Sequence, residues 1–384
     1  MIRANAEEAE RNARLDDEVV AALISSGTMT LMVPASLGGG EADPSVQLDV
    51  IEEMAYCDGS TGWAVMASMT AMGTLLSVLS DAGVDVVLKS ENYVCAGAVA
   101  PPGHAFPADG GYRISGRFSF GSGTAHAGWM IGGYAVVGLD RQPLMNELGE
   151  PRVLFALVPR SRVNLLGNWD VMGLVATASY DYEIPEQFLS HDLIAPGDQP
   201  VRGGALYRMG LKSLPGIGHA AVALGIARRS LDEFRDVAQT KVRPPSGQLN
   251  KHQVIQRDFG EWTAMLRSAR AFVHEAFNLL FQATDEGRGG DPTMQADCRL
   301  ATTHAVFTAA DITRSVYLGS GSEGLRNGSV IQRCFRDAHA AAQHLFTGPQ
   351  IYIDAGRIYL RTPGLTSRHT ELMSRTVTPP LLEP

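Results

Sequence analysis

The order in which hydrophobic periodicity changes along the chain constrains its fold most. Apolar residues recur at helical spacing up to about residue 92 and again from about 205. Between them lie short runs rich in Val, Ile, Phe and Tyr, cut by Gly and Pro. Helices, then strands, then helices is a segregated α+β order, not the alternation that builds a parallel sheet. The chain therefore divides into a helical domain at 1–92, a β domain at 93–204 and a second helical domain at 205–384.

In the first block, Val19, Val20, Leu23 and Ile24 predict a helix over Leu15–Ser26, with Asp16 and Asp17 at its dipole-favoured end. Gly38, Gly39 and Gly40 predict a bend, and Asp43-Pro44 a helix entry before Val46–Cys57. DGSTGW (58–63) interrupts two apolar helices. It reads either as a simple turn or as a loop carrying Ser60 and Trp63 to a cavity wall, where a flat aromatic can stack on a planar ligand. Ala64–Leu79 is apolar nearly all round and is expected to be buried.

In the second block, Asp109-Gly110-Gly111 signals a hairpin. Two loops stand out. GRFSFGSGTAH (116–126) mixes glycines with Ser119, Ser122, Thr124 and His126, and NWDVMGLVATASYDYEI (168–184) carries Trp169, Thr177 and Ser179. Both read either as ordinary sheet turns or as places where backbone amides approach a polar heterocycle.

Helices are expected again over Leu214–Val237, Val254–Ala283 and Met294–Leu318. The glycine-rich 319–329 is neither a Walker A loop nor a dinucleotide fingerprint. Ile331–Phe346, IQRCFRDAHAAAQHLF, reads as a late helix stopped by Gly348-Pro349. It crowds Gln332, Arg333, Arg336, Asp337, His339, Gln343 and His344 into sixteen positions. A histidine beside such a break can point into a cleft and carry a proton near neutral pH; the alternative is a solvated helix residue.

Composition bounds the function. Hydrophobic residues make up 45% and charged residues 19% of the 384, so a large core is available, and the net charge of -9 argues against nucleic acid and acidic lipid as partners. Cys57, Cys95, Cys298 and Cys334 form no CxxC pair, so no metal site is expected and four reduced thiols are. The polar N-terminus is no signal peptide, and no apolar run reaches the ~18 residues of a membrane span. A cytoplasmic protein is the expectation.

The motifs VPASLGGGEADP, DGSTGWAV, AGAVAPPG, GGYRISGRFSFGSG, NWDVMGLVATAS and QRCFRDAHAAAQH, in this order and spacing, resemble the acyl-CoA dehydrogenase superfamily over roughly residues 10–364. Within it the chain is most similar to the two-component flavin-dependent monooxygenases, the group of 4-hydroxyphenylacetate and secosteroid hydroxylases. The resemblance implies an N-terminal helical domain, a central β-barrel or sandwich and a C-terminal four-helix bundle. Dehydrogenases of the superfamily need a carboxylate base. Neither place where they carry it, corresponding to Ala338–Ile353 and Leu214–Ala221, holds Asp or Glu here.

The implied activity is hydroxylation of a phenolic or polycyclic aromatic substrate through a flavin C4a-hydroperoxide. It requires reduced FMN or FAD, molecular oxygen and a separate NAD(P)H:flavin reductase. His344 is the implied base that forms the phenolate, and Ser122, with Phe120 and Gly121, is implied to sit near flavin N5. Trp169, Thr177, Ser179, Lys241 and Arg243 are further implied flavin contacts. Trp63, His126 and His219 are candidates for the substrate end. Val175 stands where relatives often have arginine, and Phe118 where tryptophan is frequent. A homotetramer, built as a dimer of dimers, is implied, with Thr376–Pro384 loosely ordered or wrapped on a neighbour. The alternatives are an acyl-CoA dehydrogenase, an N-hydroxylating flavin monooxygenase, or a partner subunit without activity.

Overall fold

The computed structural model describes residues 1–362 apart from 139, 141, 148, 196, 198, 211, 212, 244 and 246. The expectation for Thr376–Pro384 lies outside the described residues.

The N-terminal domain holds α1 (Ile2–Asn12), α2 (Asp17–Ser25), α3 (Pro44–Cys57), α4 (Gly59–Val78) and α5 (Asp81–Leu88). Asp16 and Asp43 accept hydrogen bonds from the first-turn amides of α2 and α3, as N-cap residues do. DGSTGW is not a loop. The Asp58 carboxylate accepts from both the amide and the hydroxyl of Thr61, each at 2.8 Å, so Asp58 alone separates α3 from α4. Its glycines serve clearance rather than a turn: a Cβ on Gly62 would lie 2.5 Å from the Cβ of Ala55 on α3. Among the described residues α4 is the one helix long and apolar enough to cross a membrane. It is a core helix, with 78% of that window inside the subunit.

The β domain contains β1 (Cys95–Ala108), β2 (Gly111–Gly121), β3 (Trp129–Val136), β4 (Val153–Pro159), β5 (Asn164–Leu165), β6 (Tyr180–Ser190) and β7 (Ile194–Ala195). They form one mixed sheet in the order β5-β6-β2-β1-β3-β4-β7, with β1 and β3 parallel and the other pairs antiparallel. The β1–β2 hairpin turns at Asp109-Gly110, where Gly110 takes φ 72°. Tyr182 locks the centre. Its ring stacks on Phe118, and its hydroxyl accepts from Ala98 N at 2.8 Å and donates to Ile131 O at 2.5 Å. That ties β6 to β1 and β3 beside the register shift between Ala98 and Gly103.

The C-terminal domain comprises α6 (Ala205–Arg208), α7 (Leu214–Thr240), the small hairpin β8 (Val242–Arg243) and β9 (Gly247–Gln248), α8 (Gln253–Asp285), α9 (Pro292–Ser320), α10 (Val330–Ala341) and α11 (Gln350–Tyr359). Helices α7 to α10 make the bundle, with α11 on α9, and α7 also packs against α3. That packing needs a small residue, because a Cβ on Gly225 would meet Glu52 O at 2.3 Å. The expected single helix over Ile331–Phe346 is shorter. It ends at Ala341, and His344 caps a separate 3-10 turn, Leu345–Thr347.

Tyr182→Phe leaves the Ala98 amide and the Ile131 carbonyl without their buried partner. It should cost about 1–3 kcal/mol in urea unfolding with little change in slope.

Candidate active site

The three domains meet at one place, built from the first turns of α4, the loop after β2, the loop before β6, the start of α7 and the turn after α10. Trp63, on the second turn of α4, donates from its indole Nε1 to Ser122 Oγ at 2.9 Å. Ser122 Oγ lies 2.8 Å from Ser179 Oγ, which lies 2.7 Å from Thr177 Oγ1. Thr177 Oγ1 donates to the Leu174 carbonyl at 2.7 Å.

The two ends fix the direction of this chain. A carbonyl can only accept, so Thr177 gives its proton to Leu174 and receives one from Ser179, which receives one from Ser122. Ser122 then accepts from Trp63 and keeps one lone pair unassigned. All three hydroxyls are buried. The glycines of FGSG let the segment lie close: Gly123 N donates to Thr177 O at 2.9 Å, and a Cβ on Gly121 would lie 2.6 Å from Thr124.

Beside this chain the backbone is held in an uncommon form. Phe120, Leu174 and Ala178 have φ of 61°, 55° and 47°, a region non-glycine residues rarely enter, and such residues cluster at functional sites. Phe120 is 70% exposed despite its apolar ring and meets Trp169 edge-on at 6.2 Å. Trp169 Nε1 donates to Leu174 O at 3.3 Å.

On the other side of Trp63 lie two histidines. His219 and His344 are 4.2 Å apart between ring centroids, and each meets Trp63 edge-on, at 5.2 and 5.6 Å. Phe346 stacks on His344 at 5.3 Å. Burial pushes His219 down to about 4. Burial, then the neighbouring His219, push His344 down to about 3. Both rings are neutral at pH 7. Their tautomers follow from their partners. His219 Nδ1 lies 2.7 Å from the Pro215 carbonyl, so it carries the proton and Nε2 is a bare acceptor. His344 Nδ1 accepts from Phe346 N at 3.4 Å, so its Nε2 carries the proton. The pair therefore offers one acceptor and one donor.

The other expected residues lie apart. His126 is pushed down to about 4 by burial and by Arg14, and it makes no ring contact with the pair. His339 bonds back to Phe335 O at 2.8 Å. Lys241 and Arg243 donate to the carbonyls of Ser320 and Gly319, beyond the far end of α7, about 30 Å along that helix from His219. Ser60 is buried within the first turn of α4.

The three buried carboxylates among the described residues are committed elsewhere. Asp58 caps α4, Glu52 pairs with Arg228 and Arg270, and Asp337 accepts from Leu174 N at 2.6 Å. Asp337 carried no role in the sequence reading. Its signal was a charge on the apolar face of α10, beside Cys334, Ala338 and Ala341.

Residues 1–84 match the acyl-CoA dehydrogenase N-terminal domain and residues 217–349 the acyl-CoA dehydrogenase C-terminal domain. The chain is 30% identical over 363 residues to an indole-3-acetate monooxygenase of Pseudomonas putida, covering 93% of this chain and 90% of that one. It is 25% identical over 366 residues to the oxygenase subunit HsaA of a flavin-dependent monooxygenase from Rhodococcus jostii (strain RHA1), covering 91% and 92%. In fold it is similar to XiaF from Streptomyces sp., solved with FADH2 and glycerol, at TM-score 0.85 and 22% identity over 94% of this chain and 92% of that one. The chain belongs to the acyl-CoA dehydrogenase superfamily and, within it, to the oxygenase components of two-component flavin-dependent monooxygenases.

Proposed function

We propose that this monooxygenase hydroxylates an aromatic ring bearing an ionisable O–H or N–H, at a site between Ser122 and the His219–His344 pair. The observation that carries the reading is the pair of neutral imidazoles packed on Trp63, where the hydroxyl chain begins.

The residues around Ser122 fit a flavin ring. Phe120 and Trp169 present aromatic edges, and Ser122 has an unassigned lone pair among buried hydroxyls. Bound there, reduced flavin supplies two electrons and activates oxygen for transfer of one oxygen atom to substrate. Because the Ser122 proton is directed to Ser179, Ser122 acts as an acceptor for a ring N–H such as that at N5 of the reduced flavin. Phe120, Gly121, Trp169, Thr177 and Ser179 complete that wall. Lys241 and Arg243 would contribute only from a neighbouring copy in the expected homotetramer, and the reduced flavin comes from a separate reductase.

Substrate proton handling divides between the histidines. His219 Nε2 accepts a hydrogen bond from the substrate O–H or N–H and draws that proton as the oxygen atom is transferred, which raises electron density on the ring. His344 Nε2–H donates to an acceptor on the substrate. The base role expected of His344 thus passes to His219 on the strength of the Pro215 and Phe346 hydrogen bonds. A phenol satisfies both histidines through one oxygen, an indole N–H satisfies His219 and leaves His344 to an acceptor elsewhere on the substrate, and the Pseudomonas putida relative is named for indole-3-acetate. Thioester oxidation is disfavoured because among the described residues each buried carboxylate is already engaged by other groups.

Mixing the protein and reduced FMN or FAD rapidly with oxygen should delay hydrogen peroxide release relative to free reduced flavin; equal rates would sink the reading. On a phenol or indole that turns over, His219→Ala and His344→Ala should each lower product formation by about a hundredfold or more. Flavin binding should be retained. Losses below about threefold would favour N-hydroxylation. With both rings of the pair held neutral, the acid limb of kcat/KM should fall below pH 5 rather than near 6.5. The same groups are charged in the unfolded chain below about 6.5. Stability should therefore be lost as pH falls from there towards about 4.

A further inference from the structure

We propose that Arg336 and Asp337, adjacent on α10, are positioning residues of the oxygenation site: they clamp Met172 and Leu174 across Gly173 and so set the direction of the hydroxyl chain that ends on Ser122. The proposal rests on the flavin reading of that chain.

The clamp has three parts. Arg336 Nη1 donates to the Met172 carbonyl at 2.8 Å. Leu174 N donates to Asp337 Oδ1 at 2.6 Å. Between them Gly173 lies flat on the helix, where a Cβ would sit 2.2 Å from Arg336 O. Arg336 is braced from behind by Gln332 at 3.1 Å and by Glu10 of α1 at 2.5 Å. The other Asp337 oxygen faces the start of α4, where a Cβ on Gly59 would lie 2.8 Å from Oδ2.

What the clamp holds is the Leu174 peptide. Its residue is left-handed at φ 55°, a conformation that side-chain-bearing residues rarely adopt without outside contacts to hold it. Its carbonyl receives three donors: Thr177 Oγ1 at 2.7 Å, Thr177 N at 3.2 Å and Trp169 Nε1 at 3.3 Å. The held N–H and this carbonyl lie in adjacent peptide planes joined at the Leu174 Cα, so if φ or ψ of Leu174 changes, Thr177 loses its acceptor, and with it goes the reason for Ser179 and Ser122 to point their protons away from the flavin side. Asp337 is pushed up to about 7 by burial and then by Asp58, against the Leu174 N–H hydrogen bond and then Arg333 and Arg336. Protonated or not, it retains a lone pair for Leu174 N–H.

Three variants test this. Asp337→Ala removes the acceptor, Gly173→Ala pries the loop off α10 by pressing on the Arg336 carbonyl while leaving both clamp side chains in place, and Asp337→Asn keeps an oxygen for Leu174 N–H. The first readout needs no flavin: hydrogen exchange of the segment 170–180. Asp337→Ala and Gly173→Ala should speed it by roughly tenfold or more, with Asp337→Asn close to wild type. The second readout is hydrogen peroxide formed per product, which should rise roughly tenfold in the first two variants and be restored in Asp337→Asn. Folded Asp337→Ala and Gly173→Ala proteins with wild-type exchange, or with peroxide per product within about twofold of wild type, would overturn the clamp. If Asp337→Ala does not fold, Gly173→Ala decides alone. Unchanged peroxide release by the wild type itself would instead defeat the flavin reading and leave the exchange result standing.

Discussion

The convergence of three domains on the Leu174 peptide is the constraint from which the site follows. Its amide belongs to a C-terminal helix through Asp337, and its carbonyl belongs to the β domain through Thr177 and Trp169. The hydroxyl chain it anchors ends on Trp63 of the N-terminal domain. No one domain contains a complete half of this arrangement. A buried chain of hydroxyls is costly unless every member is satisfied, and here each is, in one direction. Direction matters because a serine that has given its proton away presents only a lone pair to whatever binds beside it.

The histidine pair answers a different problem. Burial strips water from both imidazoles and holds both neutral, and at His344 the neighbouring His219, 4.2 Å away, adds to the effect. Neutral rings with opposite tautomers make a donor and an acceptor without importing charge. Apolar rings around them, Trp63 and Phe346, keep the local dielectric low and limit water, which protects reactive oxygen chemistry from collapse. The superfamily positions that carry a carboxylate in dehydrogenases correspond to two separate stretches of this chain. Both contribute a histidine, and folding brings the two rings to 4.2 Å, tilted by 36°.

Where expectation and structure part, the reason is local. DGSTGW looks like a turn because it has two glycines and an aspartate, yet an aspartate three residues before a threonine is also a helix cap. The glycines are there because Ala55, Ile226 and Asp337 press on that helix start. The helix expected through Phe346 breaks after Ala341, which frees His344 to turn towards His219. Lys241 and Arg243 look like phosphate ligands by position and charge, but within one subunit they hold the end of α9.

The sequence by itself determined the segregated helix–strand–helix order, the buried α4, the strands around Phe118 and Tyr134, and the small, hydroxylated character of the loops at Ser122 and Thr177–Ser179. These are legible because periodicity, capping and turn chemistry act over a few residues. Only the tertiary structure decided which histidine carries a bare nitrogen, which way the hydroxyl protons run, and that Asp337 holds Leu174. Each of these depends on a partner more than fifty residues away or on a ring's single hydrogen bond, and spacing along the chain carries no record of either.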